Sequence, residues 1–199
     1  LDQKPDVDVK TSGVRIGDSL GVAVAGGRVY IVEGNANKII VYILVPTRSD
    51  QKHDFVIGAS ELCVNTLEQN FIITNPRSAS NGKSLFVISD FDRKLYVWKS
   101  LPNQSNAYPD FVYTMPQPGN VGSLTLWKET LIVGGENIFV WKKLPLNGEK
   151  PDLTISAAAI KKHTGSVALD DKYFYLADTS GKVYVWQGLP TTLANPSFT

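Results

Sequence analysis

The side chains able to do acid–base, nucleophilic or metal chemistry in this 199-residue chain are few and scattered. There are two histidines, His53 and His163, and one cysteine, Cys63. A zinc site needs about four nitrogen or thiolate ligands at short spacings, and these residues do not supply one. The stretch "GDSLG" (17–21) superficially resembles a nucleophile turn. It leads into a strand with no helix behind, so the sharp turn that would present the serine is missing. No glycine-rich phosphate loop is present either. Two other series are more regular. Glu33, Asp90 and Asp178 each close an apolar run. Carboxylates so placed can line a metal or ligand face, or accept hydrogen bonds from the backbone of the adjoining turn. Tyr42, Trp98, Trp141 and Trp186 recur inside near-copies of one phrase.

That phrase is "VYVWQGLP" at 183–190, "LYVWKSLP" at 95–102, "IFVWKKLP" at 138–145 and, more loosely, "IVYILVP" at 40–46. Trp98 to Trp141 is 43 residues and Trp141 to Trp186 is 45; Tyr42 to Trp98 is 56, the excess lying in "ELCVNTLEQNFIITN" (61–75). A second marker keeps the same phase. "HDFVIG" (53–58), "PDFVYTM" (109–115), "PDLTIS" (151–156) and "NPSFT" (195–199) each come after the aromatic and a polar loop. Two markers in one phase over four copies define a repeat, and a repeat decides the architecture. Identical placement in successive copies points to packing of one unit on the next, since each aromatic can bury ~150–250 Å². The Leu-Pro behind it is a strand stop, because proline has no N–H for the ladder.

Each copy reads as four short strands. In the last copy these are "GSVAL" (165–169), "YFYLAD" (173–178), "KVYVW" (182–186) and a final strand beginning near 195. Val, Ile, Tyr, Phe and Trp are enriched, and turns such as "AGGR" (25–28), "DDK" (170–172) and "DTSGK" (178–182) supply hairpin residues. No stretch carries a helical period with caps. Four-stranded units at this period predict an all-β fold, a β-propeller of four-stranded antiparallel blades. The expected blades cover 19–60, 75–115, 121–156 and 164–199 of a single domain, 1–199, with an inter-blade insertion at 61–74. Residues 1–11 add an orphan outer strand, because "LDQKPDVDVK" matches "LNGEKPDLTIS" (146–156).

The segment "NPRSASNGKSLFVISDFDRKLYVWKSLPNQSNAYPDFVYTM" (75–115) resembles an NHL-type repeat. It has an opening Pro, a strand ending in Asp, a turn, a basic residue, a strand, then Leu-Pro and a Pro-Asp strand. The first copy is similar with Glu33 and Lys38, and the fourth with Asp178 and Lys182. The third departs, Gly134 standing where Asp is usual. The resemblance extends over nearly the whole chain and implies a fold more firmly than a function. NHL-like propellers commonly have six blades, which implies that four copies and an orphan strand are part of a larger propeller. An open array of blades would leave apolar end faces through which the chain could self-associate.

The loops leading into the inner strands converge on the central channel and contribute Asp18, Arg77, Asn120 and His163. These positions differ from copy to copy while the packing positions repeat, which makes them the candidate binding residues. The expected function is therefore a non-catalytic module binding a protein or glycan through its rim or channel-mouth loops. No catalytic residue, metal ligand or cofactor is assigned. Two other readings stay open: a metal-dependent lactonase-, hydrolase- or lyase-like propeller enzyme with its site at the channel, and a structural repeat of a surface protein. The charge balance, 20 Lys plus Arg against 19 Asp plus Glu, gives no electrostatic case for nucleic acid or an anionic membrane. No apolar run approaches the ~18 residues of a membrane span. Asn103-Gln104-Ser105 is a glycosylation triplet that leans toward an extracellular setting. Leu1 in place of Met leaves room for a leader or a larger upstream region.

Overall fold

A computed structural model describes residues 20–33, 38–58, 76–89, 93–105, 107–116, 121–158, 160 and 164–198. The described residues form fifteen strands and no helix. The first sheet contains β1 (Leu20–Ala25), β2 (Arg28–Glu33), β3 (Lys38–Tyr42) and β4 (Phe55–Gly58), hydrogen-bonded in that order. The second contains β5 (Arg77–Ser80), β6 (Leu85–Ile88), β7 (Lys94–Trp98) and β8 (Phe111–Thr114). The third contains β9 (Val121–Trp127), β10 (Thr130–Gly135), β11 (Asn137–Trp141) and β12 (Leu153–Ser156). The fourth has three strands, β13 (Thr164–Leu169), β14 (Tyr173–Asp178) and β15 (Val183–Gln187). Its expected outer strand near 195 is reduced to a single bridge, Val185 to Phe198. The orphan strand at 1–11 and the insertion at 61–74 lie outside the described residues.

All pairings within the sheets are antiparallel, and the inner strands pack side by side in chain order, β1 on β5, β5 on β9, β9 on β13. Each internal sheet is therefore covered on both faces. That explains why β6, LFVI, is buried at every position, where a one-sided strand would alternate. Leu85, Val87, Tyr96 and Trp98 point back into a core shared with Tyr30, Val32, Ile39 and Val41 of the first blade. Their neighbours Phe86, Ile88, Leu95 and Val97 point forward onto Leu131, Val133, Phe139 and Trp141. Ile132, Ile138 and Val140 repeat the arrangement against Phe174, Leu176 and Trp186. The third-strand tryptophan always faces the preceding blade.

The repeated side chains have fixed structural duties. Each indole N–H donates to a carbonyl of its own blade's outer loop: Trp98 Nε1 to Ala107 (2.9 Å), Trp141 Nε1 to Glu149 (2.8 Å) and Trp186 Nε1 to Ala194 (3.2 Å). The aspartate of the outer marker ties the loop's other end. Its backbone N–H donates to the carbonyl just before the aromatic, Asp54 to Val41, Asp110 to Val97 and Asp152 to Val140. Its carboxylate accepts the N–H just after the aromatic, from Ile43 (2.7 Å), Lys99 (2.8 Å) and Lys142 (2.7 Å). In the fourth blade Ser197 keeps the backbone bond to Val185 but has no carboxylate for the second. That loss accompanies the shortened outer strand.

Adjacent inner strands are also stitched by polar groups. Val167 N–H donates to Ser123 Oγ (3.1 Å), and Thr125 Oγ1 donates to the Val167 carbonyl (2.5 Å). Gly134 makes room for this seam: a Cβ there would meet Ser123 Oγ at 2.6 Å and Val167 Cγ1 at 3.0 Å.

Urea titration tests these duties. Trp141→Phe loses a buried hydrogen bond and ring volume, and is expected to cost about 2 kcal/mol. Tyr42 holds the same position in the first blade, but its buried hydroxyl has no partner among the described residues, so Tyr42→Phe should stay within ~0.5 kcal/mol of the parent. Gly134→Ala overpacks the seam and is expected to cost ~2 kcal/mol or more.

Candidate functional site

Of the four channel-mouth residues expected from sequence, only Arg77 is among the described residues; Asp18, Asn120 and His163 are not. Arg77 opens β5 half-buried, its guanidinium Nη1 donating to the neighbouring Pro76 carbonyl at 3.0 Å.

The acidic series divides by strand register. Glu33 pairs with Lys38 across the β2–β3 hairpin, and by the same count from the aromatic the equivalents are Ser89, Gly135 and Asp178. The expected equivalents Asp90 and Gly134 are thus each displaced by one residue, and Asp90 lies outside the described residues. Asp178 is a turn residue. Its Oδ1 accepts from Ser180 N (2.7 Å), Ser180 Oγ (2.6 Å) and Lys182 N (3.0 Å), and its Oδ2 from Tyr184 OH (3.2 Å). The Ser180 hydroxyl leads in holding this carboxyl at about 2, below its ordinary 3.8, against the opposing effect of desolvation.

The opposite ends of the inner strands, where the first hairpin of each blade turns, differ from blade to blade. Blade one uses Gly26 and Gly27, both at positive φ. Blade two uses Asn81, whose Oδ1 accepts from Lys83 N and Ser84 N. Blade four uses Asp170 in the same way, accepting from Lys172 N and Tyr173 N. Blade three places Lys128 there with φ 54°, a left-handed conformation that costs a side-chain-bearing residue ~1–2 kcal/mol. Between these turns lies a groove of about 380 Å³ lined by Ser80, Asn81, Lys83, Leu126, Lys128 and Glu129. Lys128 bridges to Asp171 on the next blade's turn, and its ammonium lies over the neighbouring indole, 5.6 Å from the Trp127 ring centre. The Lys128 ammonium holds the Asp171 carboxyl below its ordinary range. Trp127 is 36% exposed, whereas Trp98 and Trp141 are essentially covered. The signal for this cluster was present in the sequence: Trp127 is the one tryptophan off the repeat's phase.

Consecutive antiparallel sheets with their inner strands side by side define this chain as β-propeller in fold. No protein-family model matches it, and no curated protein matches it in sequence. Solved structures agree on the architecture. The computationally designed protein Ika4 superposes over 93% of this chain and 98% of its own, with a TM-score of 0.56 at 14% identity. Glutaminyl cyclase of Myxococcus xanthus matches 87% of this chain and 67% of its own (TM-score 0.53, 12% identity). A chain of the nidogen/laminin complex matches 86% and 60% (TM-score 0.52, 13% identity). At these identities the likeness carries the fold alone.

The Asp178 turn gives a pH test. Its carboxyl is depressed in the folded state, so the stability it contributes is present above about pH 4 and lost as pH falls toward 2. The stability gap between the parent and Asp178→Asn, measured by urea titration at successive pH values, should be widest above pH ~4 and close toward pH ~2.

Proposed function

We propose that this chain is a non-catalytic propeller module that binds a protein partner across its first-hairpin rim. The groove between Asn81–Lys83 and Lys128–Glu129 is the recognition centre. One observation carries the reading: Lys128 sits at a turn position where glycine relieves strain, as in blade one, yet bears a cation beside an exposed tryptophan. Strain kept where a simpler residue is available points to a use for the side chain. The exposed Trp127, with the Lys128 ammonium over its ring and Asp171 paired to that ammonium, has the composition of a binding hot spot at the edge of the groove, an aromatic anchor with charged groups around it. The repeated tryptophans and aspartates support the same reading, since their polar atoms are engaged in holding the blades. The loops carrying Asp18, Arg77, Asn120 and His163 would form a second contact zone at the channel mouth, and self-association through the blade ends belongs to the same binding role. The rhythm of the repeats favours kinship with NHL-type propellers.

A photo-crosslinking residue at position 83 should trap a discrete protein that unlabelled chain displaces, while the same residue at position 180, on the opposite rim, should not. Lys128→Gly is expected to hold or raise stability by up to ~1 kcal/mol while weakening that capture about tenfold. Equal capture from both positions would overturn the assignment of the groove. Retention on a glycan array in place of protein capture would favour the glycan reading.

A further inference from the structure

Two side chains of one hairpin converge on a carboxylate that belongs to the next. The β9–β10 hairpin closes between Trp127 and Thr130, with the same register as β1–β2 between Ala25 and Arg28. Blade one fills that turn with Gly26 and Gly27 and offers no side-chain donor in it. Blade three carries Trp127 and Lys128 there. The Lys128 ammonium bridges to Asp171 of blade four while lying over the Trp127 ring. That ammonium leads in holding the Asp171 carboxyl below its ordinary range, and a hydrogen bond from the Trp127 side chain, whose one donor is Nε1–H, adds to it. An indole N–H and an ammonium about one carboxylate make a charge-assisted anion site.

The carboxylate now in it is not needed by its own hairpin. Asp170 holds the blade-four turn, accepting from Lys172 N, Tyr173 N and Tyr175 OH. The Lys128–Asp171 bridge is open to water, both side chains 65% exposed, and a pair so solvated contributes little to stability. It does not offset the cost of a lysine held at φ 54°. In the adjoining groove Lys83 is exposed and has no acidic partner among the described residues. Half-buried Leu126 is the apolar member of the lining. Glu129 in the same lining repels a dense polyanion, so the charges suit separate carboxylates of a protein segment and not a phosphate backbone.

We infer that the Trp127–Lys128 pair receives a carboxylate of the partner, that Asp171 occupies it in the partner's absence, and that the partner presents an acidic segment carrying an apolar residue for Leu126. The inference rests on the groove being the recognition centre. A second carboxylate of the segment meets Lys83. Docking exchanges one carboxylate for another at the same donors, so the site is already formed when the partner arrives, which lowers the cost of ordering it. Asp171 acts as a competitor in cis, and a segment without a well-placed carboxylate does not displace it.

The test is selection of a random-peptide display library on the intact chain, followed by fluorescence anisotropy of the selected peptides. The parent is compared with Asp171→Asn, Lys128→Met and Lys83→Met, each checked for parental thermal unfolding. The selected peptides are expected to be enriched in Asp and Glu beside an apolar residue, and to shift the Trp127 indole N–H resonance on binding. Asp171→Asn removes the competitor and should tighten binding about threefold to tenfold, while Lys128→Met and Lys83→Met should each weaken it about tenfold. Weaker binding by Asp171→Asn would overturn the inference, because it would make Asp171 a positioning residue for Lys128. So would peptides without acid enrichment, affinities indifferent to Lys128, or a library that yields no binder. Crosslinking from position 83 tells the two levels of failure apart. Capture that persists beside any of these results keeps the groove and discards the acidic partner, whereas loss of capture as well discards the groove.

Discussion

The indole of the third strand is the part on which the rest of the fold depends. Its ring lies in the interface with the preceding blade, and its N–H ties down its own blade's outer loop. One side chain thereby sets the spacing between sheets and the path of the loop that carries Leu-Pro and the aspartate clamp. The magnitudes separate the two duties. Burying ~150–250 Å² of aromatic surface is worth about 4–6 kcal/mol gross at ~25 cal/mol/Å², against ~1 kcal/mol net for the hydrogen bond. Burial supplies the energy, and the N–H supplies the orientation.

The aspartate clamp then fixes the outer strand. By satisfying the two backbone groups that flank the aromatic, Asp54, Asp110 and Asp152 hold the chain where it must turn out of the third strand. The fourth blade shows the converse, with Ser197 in that place and a bridge where the others have a strand. Because these duties absorb the repeated polar atoms, chemical variety is left to the hairpin turns. There the four blades use two glycines, an asparagine, a lysine and an aspartate for similar geometry.

The fold was legible because its two sequence markers are mechanical parts: the aromatic and the Pro-Asp or His-Asp pair each keep the same duties in a fixed place. Single positions were less legible. Matching by residue type set Asp90 and Gly134 beside Glu33 and Asp178, but strand pairing selects Ser89 and Gly135. A one-residue slip in a strand moves a side chain to the other face. Gly134 then has a reason of its own, the close approach of Ser123 and Val167. The rim cluster escaped because periodic reasoning favours what repeats, and Trp127 with Lys128 is informative for not repeating. No sequence rule flags a lysine at φ 54°, since the conformation is visible only in the folded hairpin.

The most direct measurement is hydrogen exchange of the four indole N–H groups, monitored by NMR. The blade interfaces predict that Trp98, Trp141 and Trp186 exchange slowly, through opening of the blades that bury them, while Trp127 exchanges fast at the exposed rim. Four indoles exchanging alike, or a protected Trp127 beside a fast Trp141, would contradict the assignment of the repeated tryptophans to the blade interfaces.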